Sequence, residues 1–191
     1  MKFTPPQEFT SLTEMLRFYS DADEIVFKSH CRLDESEIAE ACHNARRLAH
    51  RLQVHHGEKS AEKIAISLGI NVLREAWEIA ENKVLYLGEC FQQTKGGGAA
   101  IRINIGATKL LADFQKLWTA ESEQEFFTEA KISEVVIAHE LFHLVEQRAP
   151  STLVELEAQA FARAFAQLPF SPLLYNTLLH QLAKGKRVRL L

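Results

Sequence analysis

The run VVIAHELFHLVEQ, residues 135–147, sets His139, Glu140 and His143 in the order His-Glu-x-x-His within a largely apolar stretch. Residues four apart on a helix lie one above the other, so both imidazoles can reach a single divalent ion. Glu140 diverges from His139 by about 100° around the helix and cannot share that ligand position. It lies instead where a carboxylate can take a proton from water held at the ion. Metal-assisted activation of water is the chemistry this spacing suits.

A helical wheel shows how the rest of the run supports those residues. His139, Glu140, His143, Glu146 and Gln147 fall in one wedge, while Ile137, Ala138, Leu141, Phe142, Leu144 and Val145 fill the remaining circumference. A solvated stripe with two ordinary histidines is the bland reading. A polar wedge on an otherwise buried helix favours a site.

A catalytic zinc takes a third protein ligand and keeps one position for water. One common continuation needs Gly at 146 and His at 149, but this chain has Glu146 and Ala149 there. The remaining solution is a glutamate from a following helix, and TLVELEAQAFARAFA offers Glu155 and Glu157. Glu155 aligns with Ala158, Gln159, Ala162 and Ala166, a mostly short-chained stripe that lets two helices approach closely. Glu157 falls between Leu153, Ala164 and Leu168. The wheel therefore favours Glu155, with Glu157 as the alternative. Thr152-Leu-Val-Glu155 also matches a capping box, which would use the same acid to tie off the helix start. Two imidazoles and a carboxylate suit Zn2+ first, and the same donor set accepts Mn2+ or Fe2+.

The chain that must position these groups has 191 residues, 47% of them hydrophobic and 25% charged, which fits one domain with or without a helical arm. Its net charge of −3 gives no reason to expect nucleic acid or a membrane surface as a partner. No apolar run approaches the ~18–20 residues of a membrane span, and the start, MKFTPPQEFT, has no signal-like apolar segment. Cys31, Cys42 and Cys90 are odd in number, which suggests free thiols and a cytoplasmic setting. The adjacent pairs His30-Cys31 and Cys42-His43 are badly spaced for gripping one ion. The basic tail KGKRVR reads as a solvated terminus.

Helical spacing of Ile38, Ala41, Ala45, Leu48, Ala49 and Leu52 predicts a helix started by Asp34 and stopped by Gly57. SAEKIAISLGI predicts a second helix closed by Gly69. NVLREAWEI and KVLYLGECF read as strand-forming, and TKGGGAA as a turn without phosphate-loop context. AIRINI alternates Ile101, Ile103 and Ile105 against Arg102 and Asn104, the pattern of a half-buried strand. From Ala107 to about Leu168 the chain reads helical, with its one clear break at Ala149-Pro150-Ser151. The order helices, short strands, helices predicts an α+β class.

Through His139, Glu140 and His143, followed by Glu155, Ala158, Phe161, Ala162 and Pro169, the chain resembles the ImmA/IrrE family of bacterial metallopeptidases. That family pairs HExxH with a downstream E-x-x-A-[ND]-x-F-A and a segment ending in Pro. The likeness covers about residues 60–170. It implies a zincin-like, mostly helical α+β domain with a small sheet beside the HExxH helix. It also implies His139, His143 and Glu155 as metal ligands and Glu140 as general base. The substrate it implies is a protein, in the family typically a helix-turn-helix transcriptional repressor. Gln159 stands where the family has Asn or Asp, and Pro169 comes one residue late. On this division, 1–57 form a helical arm or subdomain and 58–191 the metallopeptidase-like domain.

Peptide-bond hydrolysis would draw on an oxyanion donor, for which Tyr86, Tyr175 and His180 have suitable chemistry. An extended substrate could add to an exposed edge of the AIRINI strand. The rival classes are a non-catalytic metal sensor or protein-interaction module, and a metal-dependent hydrolase of small amides.

Overall fold

Capping and sheet pairing fix most of the framework. The computed structural model describes residues 12–20, 34–57, 59–77, 86–92, 98–115, 125–149 and 151–183. After helix α1 (Leu12–Ser20), helix α2 (Glu35–His56) begins with a full capping box. The Glu37 N–H donates to Asp34 Oδ1 at 2.9 Å, and the Asp34 N–H donates to Glu37 Oε2 at 3.1 Å. Gly57, at φ 69°, ends it in the left-handed conformation that a side chain would strain. Helix α3 (Ala61–Ser67) starts at Ser60, and Glu134 accepts the Ala61 N–H at 2.8 Å.

Strands β1 (Asn71–Glu75), β2 (Gly88–Phe91) and β3 (Ala100–Asn104) form one sheet in the order β1-β3-β2. β1 runs parallel to β3, and β2 runs antiparallel to it. Both edges of β3 are therefore paired, so the expected open edge along AIRINI is not there. Alternation reports which face of a strand is buried, not which neighbours flank it. Ile101 and Ile103 are buried as the pattern required. Ile105 has left the strand: it opens helix α4 (Ile105–Gln115) and is exposed. Asn104 makes that switch, its Oδ1 accepting the N–H groups of Gly106 at 3.1 Å and Ala107 at 3.2 Å. On the outer face, Arg102 bonds Glu89 and Glu75 and lies over the rings of Trp77 and Phe91.

The stretch read as helical from Ala107 to Leu168 holds a further break. A short 3-10 turn at Glu125–Phe127 leads to Thr128, whose Oγ1 accepts the Lys131 N–H at 3.1 Å and starts helix α5 (Glu129–Glu146). Thr128 has lysine, not an acid, three residues on, so its cap carries no box signature. The break near 149–151 is present: α5 stops at Gln147, at φ 48°, and Ser151 caps helix α6 (Thr152–Phe165). Helix α7 (Leu173–Ala183) follows, where the sequence gave no expectation. The segments 83–85, the TKGGG turn, Pro150 and the basic tail lie outside the described residues.

The fold is mostly helical with one small sheet, an α+β domain. α6 lies between α2 and α5, and α5 rests in turn on β2 and β3. The α2 face turned inward is small: Ile38, Ala41, Cys42, Ala45 and Ala49 are all buried. Among the described residues, no helix is long and apolar enough to cross a membrane.

The tightest point of the framework is Gly88. A Cβ there would collide with Val136 Cγ1 of α5 and stand 3.1 Å from the Arg102 carbonyl oxygen. Gly88→Ala must therefore push β2 off the helix or displace Val136. Overpacking of this kind costs about 1–3 kcal/mol. Urea unfolding of the variant is expected to show that loss.

Candidate metal centre

The HExxH segment occupies the third and later turns of α5. Its apolar circumference is buried as the wheel required, with Ile137, Ala138, Leu141 and Phe142 at 1% exposure or less. His139 and His143, one turn apart, turn their Nε2 atoms to within 3.2 Å of each other. Glu155 arrives from α6 between them, with Oε2 3.5 Å from His139 Nε2 and Oε1 3.5 Å from His143 Nε2.

Those distances discriminate between two accounts of the cluster. An ion bonded to each atom at ~2.0–2.1 Å with tetrahedral angles would hold its ligand atoms about 3.4 Å apart. Direct hydrogen bonds would draw the histidine and carboxylate to about 2.7–2.9 Å. The observed 3.2–3.5 Å is the edge of a metal tetrahedron. Among the described residues, this is the group of His, Cys, Asp or Glu side chains able to hold an ion.

Glu155 is free for this role because Ser151 caps α6: its Oγ accepts the Val154 N–H at 3.2 Å. The expected box from Thr152 to Glu155 does not form, since Thr152 is already the first helical residue. Glu157 points elsewhere. It is buried and bonded by Arg148, which also reaches Glu146 at 3.5 Å. Glu146 and Gln147, drawn into the polar wedge by the wheel, thus serve an ion pair and a helix end.

Glu140 leaves the ligand triangle on the side of β2. It is 9% exposed, and its Cγ lies 3.6 Å from where a Gly88 Cβ would stand. Cys90, two residues along the same strand face, hydrogen-bonds its carboxylate. The sequence offered Cys90 only as a free thiol. Gly88 and Cys90 share a face by strand period, but nothing local told that Glu140 would lie against it. Cys42 and Cys90 are free, and Cys31 lies outside the described residues.

The electrostatics follow from burial and mutual charge. Burial raises Glu140 above the usual carboxylate range, against the lowering effects of His139 and of the Cys90 hydrogen bond. Burial, then the Glu140 charge and hydrogen bond, push Cys90 up to about 12, so it stays a thiol. Burial pushes His143 down to about 4, leaving it neutral and ready to donate a lone pair. Burial pulls His139 down too, but the Glu155 hydrogen bond and the Glu140 and Glu155 charges together outweigh it and hold it high. Burial would raise Glu155, yet the two histidines together keep it low.

Of the oxyanion donors suggested by chemistry, Tyr175 is removed. Its hydroxyl donates to the Phe126 carbonyl at 2.5 Å, within a ring cluster of Phe127 and Phe170. His180 lies on the same helix, α7, which packs against α1 and α4. Tyr86 is 49% exposed, two residues before Gly88. No family model, no curated protein and no solved structure matches this chain.

Glu155→Gln should cost zinc affinity more than the roughly 10- to 100-fold that follows loss of an outer hydrogen-bond partner. Glu157→Gln should leave it nearly unchanged. Competition with a chromophoric chelator measures both, with His139→Ala as the metal-free control. The pH dependence has a fixed sign. An incoming cation must displace the His139 proton, so affinity falls by about tenfold per pH unit below the raised His139 range. Metal-free stability runs the other way. A group whose pKa is raised on folding contributes stability below its unfolded value, and loses it as pH rises through the folded one. Titrating zinc and melting the metal-free protein across about pH 5 to 8 tests the two opposed trends.

Proposed function

We propose that this chain is a metal-dependent endopeptidase in which His139, His143 and Glu155 hold a divalent cation, zinc first, and Glu140 is the general base. The carrying observation is the placement of three donor atoms 3.2–3.5 Å apart with a fourth, non-ligating carboxylate beside them. A cation in that position supplies Lewis acidity and brings the pKa of water towards neutrality.

Each protein group then has a defined task. Glu140 accepts a proton from the attacking water and passes it to the leaving amine. Its burial favours the protonated form after that first transfer, which suits an acid that must then donate. Cys90 holds the carboxylate by one hydrogen bond and keeps its own proton. His143, neutral, and Glu155, ionised, are in the protonation states that ligation requires. β2 is the sheet edge that rests on α5, with Gly88 beside Glu140. An extended peptide added there would run past the centre. The sequence likeness to the ImmA/IrrE family suggests a transcriptional repressor as the protein cleaved.

Glu140→Gln is the decisive variant. Loss of general-base function typically costs 10²–10⁴-fold, so cleavage of bacterial helix-turn-helix repressors or of casein should fall by about that factor while zinc content stays at the wild-type level. A metal sensor or interaction module would bind zinc equally in both proteins and cleave nothing in either, and that result would remove the peptidase reading. Cleavage of short acyl amides alone would move the assignment to a small-amide hydrolase.

A further inference from the structure

Gln159 carries the one buried side-chain oxygen or nitrogen among the described residues with no hydrogen-bond partner, its Oε1. The residue is 6% exposed. Buried amide oxygens are seldom left unpaired, because desolvation without a replacement bond is unfavourable. An orphan in so well packed a helix therefore asks what would pair with it.

Its place on α6 narrows the answer. Gln159 lies one turn after Glu155, on the same helix face. Side chains in a helix lean back towards the N-terminus, so the amide of Gln159 leans over the turn that carries Glu155. α5 and α6 are joined by the short link 147–151 and pack against each other as a hairpin. Moving along α6 from Glu155 to Gln159 thus moves back along α5, from His143 towards His139. Both imidazoles turn Nε2 to the Glu155 carboxylate, so Nδ1 is the ring nitrogen each has left. A metal-bound histidine almost always donates that second N–H to an acceptor, which fixes its tautomer and ring angle.

We propose that Gln159 is a positioning residue for the metal centre: its Oε1 accepts the Nδ1–H of His139 when Nε2 ligates a cation. The inference rests on the metal-binding reading above. It gives the orphan oxygen its partner and explains a long amide among the alanines 158, 160 and 162, all of them fully buried. A neutral acceptor also polarises the imidazole less than a carboxylate would, so the geometry points to a centre held less tightly than the same ligands backed by an acid.

The test combines zinc affinity, melting of the metal-free protein and nitrogen NMR of the imidazoles. Gln159→Leu should weaken zinc binding by about 10- to 100-fold, while the metal-free variant melts no lower than wild type, because an unpaired polar atom has been replaced by an apolar group of similar size. Gln159→Glu should bind zinc at least as tightly as wild type. In the zinc-loaded wild type, a protected His139 Nδ1–H resonance is expected, and it should vanish in Gln159→Leu. Unchanged affinity in Gln159→Leu, Gln159→Glu as weak as Gln159→Leu, or a zinc-loaded wild type with no protected His139 Nδ1–H would each overturn the assignment. Wild-type protein that takes up no zinc would overturn the metal centre itself, and this inference with it.

Discussion

A carboxylate from one helix is held between two imidazoles of another, with the donor atoms 3.2–3.5 Å apart. Such a cluster is unfavourable on its own terms. Each group has lost most of its water, and the distances are too long for strong hydrogen bonds to replace it. In the metal-free protein, a proton on His139 shared towards Glu155 relieves part of that cost. A divalent cation would relieve it more fully. The packing of α5 against α6 has to supply the difference, and the fold is arranged around that need: α6 is held between α2 and α5, and its alanines allow the close approach.

The second constraint is the seating of α5 on the sheet. Gly88 admits Val136 to a distance no side chain would tolerate, and this brings β2 directly against Glu140. Two consequences follow from one missing Cβ. Glu140 becomes buried enough for its proton affinity to rise, and Cys90 reaches its carboxylate. Placing the acid beside the ligands, but not among them, is what separates a hydrolytic arrangement from a closed structural metal site.

The HExxH helix and its buried flank were legible because the relevant geometry is local. Four residues of α-helix bring His139 over His143 whatever else the chain does. Glu155 was legible for a related reason: a stripe of short side chains marks where another helix can come close. The Thr152 alternative failed over one residue of capping choice, since Ser151 and Thr152 carry the same hydroxyl and only the turn after Gln147 selects between them. The strand AIRIN was visible in alternation, while its central position was not. Tyr175 had the right chemistry for an oxyanion donor and is instead tied to Phe126 in an aromatic cluster.

By itself the sequence determined the class of fold, the helix that carries both histidines, and the short list from which a third ligand could come. These depend on periodicities that act over a few residues. Only the tertiary structure decided that Glu155 meets the imidazoles while Glu157 pairs with Arg148, that β2 and Cys90 back Glu140, and that Gln159 Oε1 is buried unpaired one turn from the centre. Each of those outcomes depends on where whole helices and strands come to rest against one another, and that is set by the packing of the entire core.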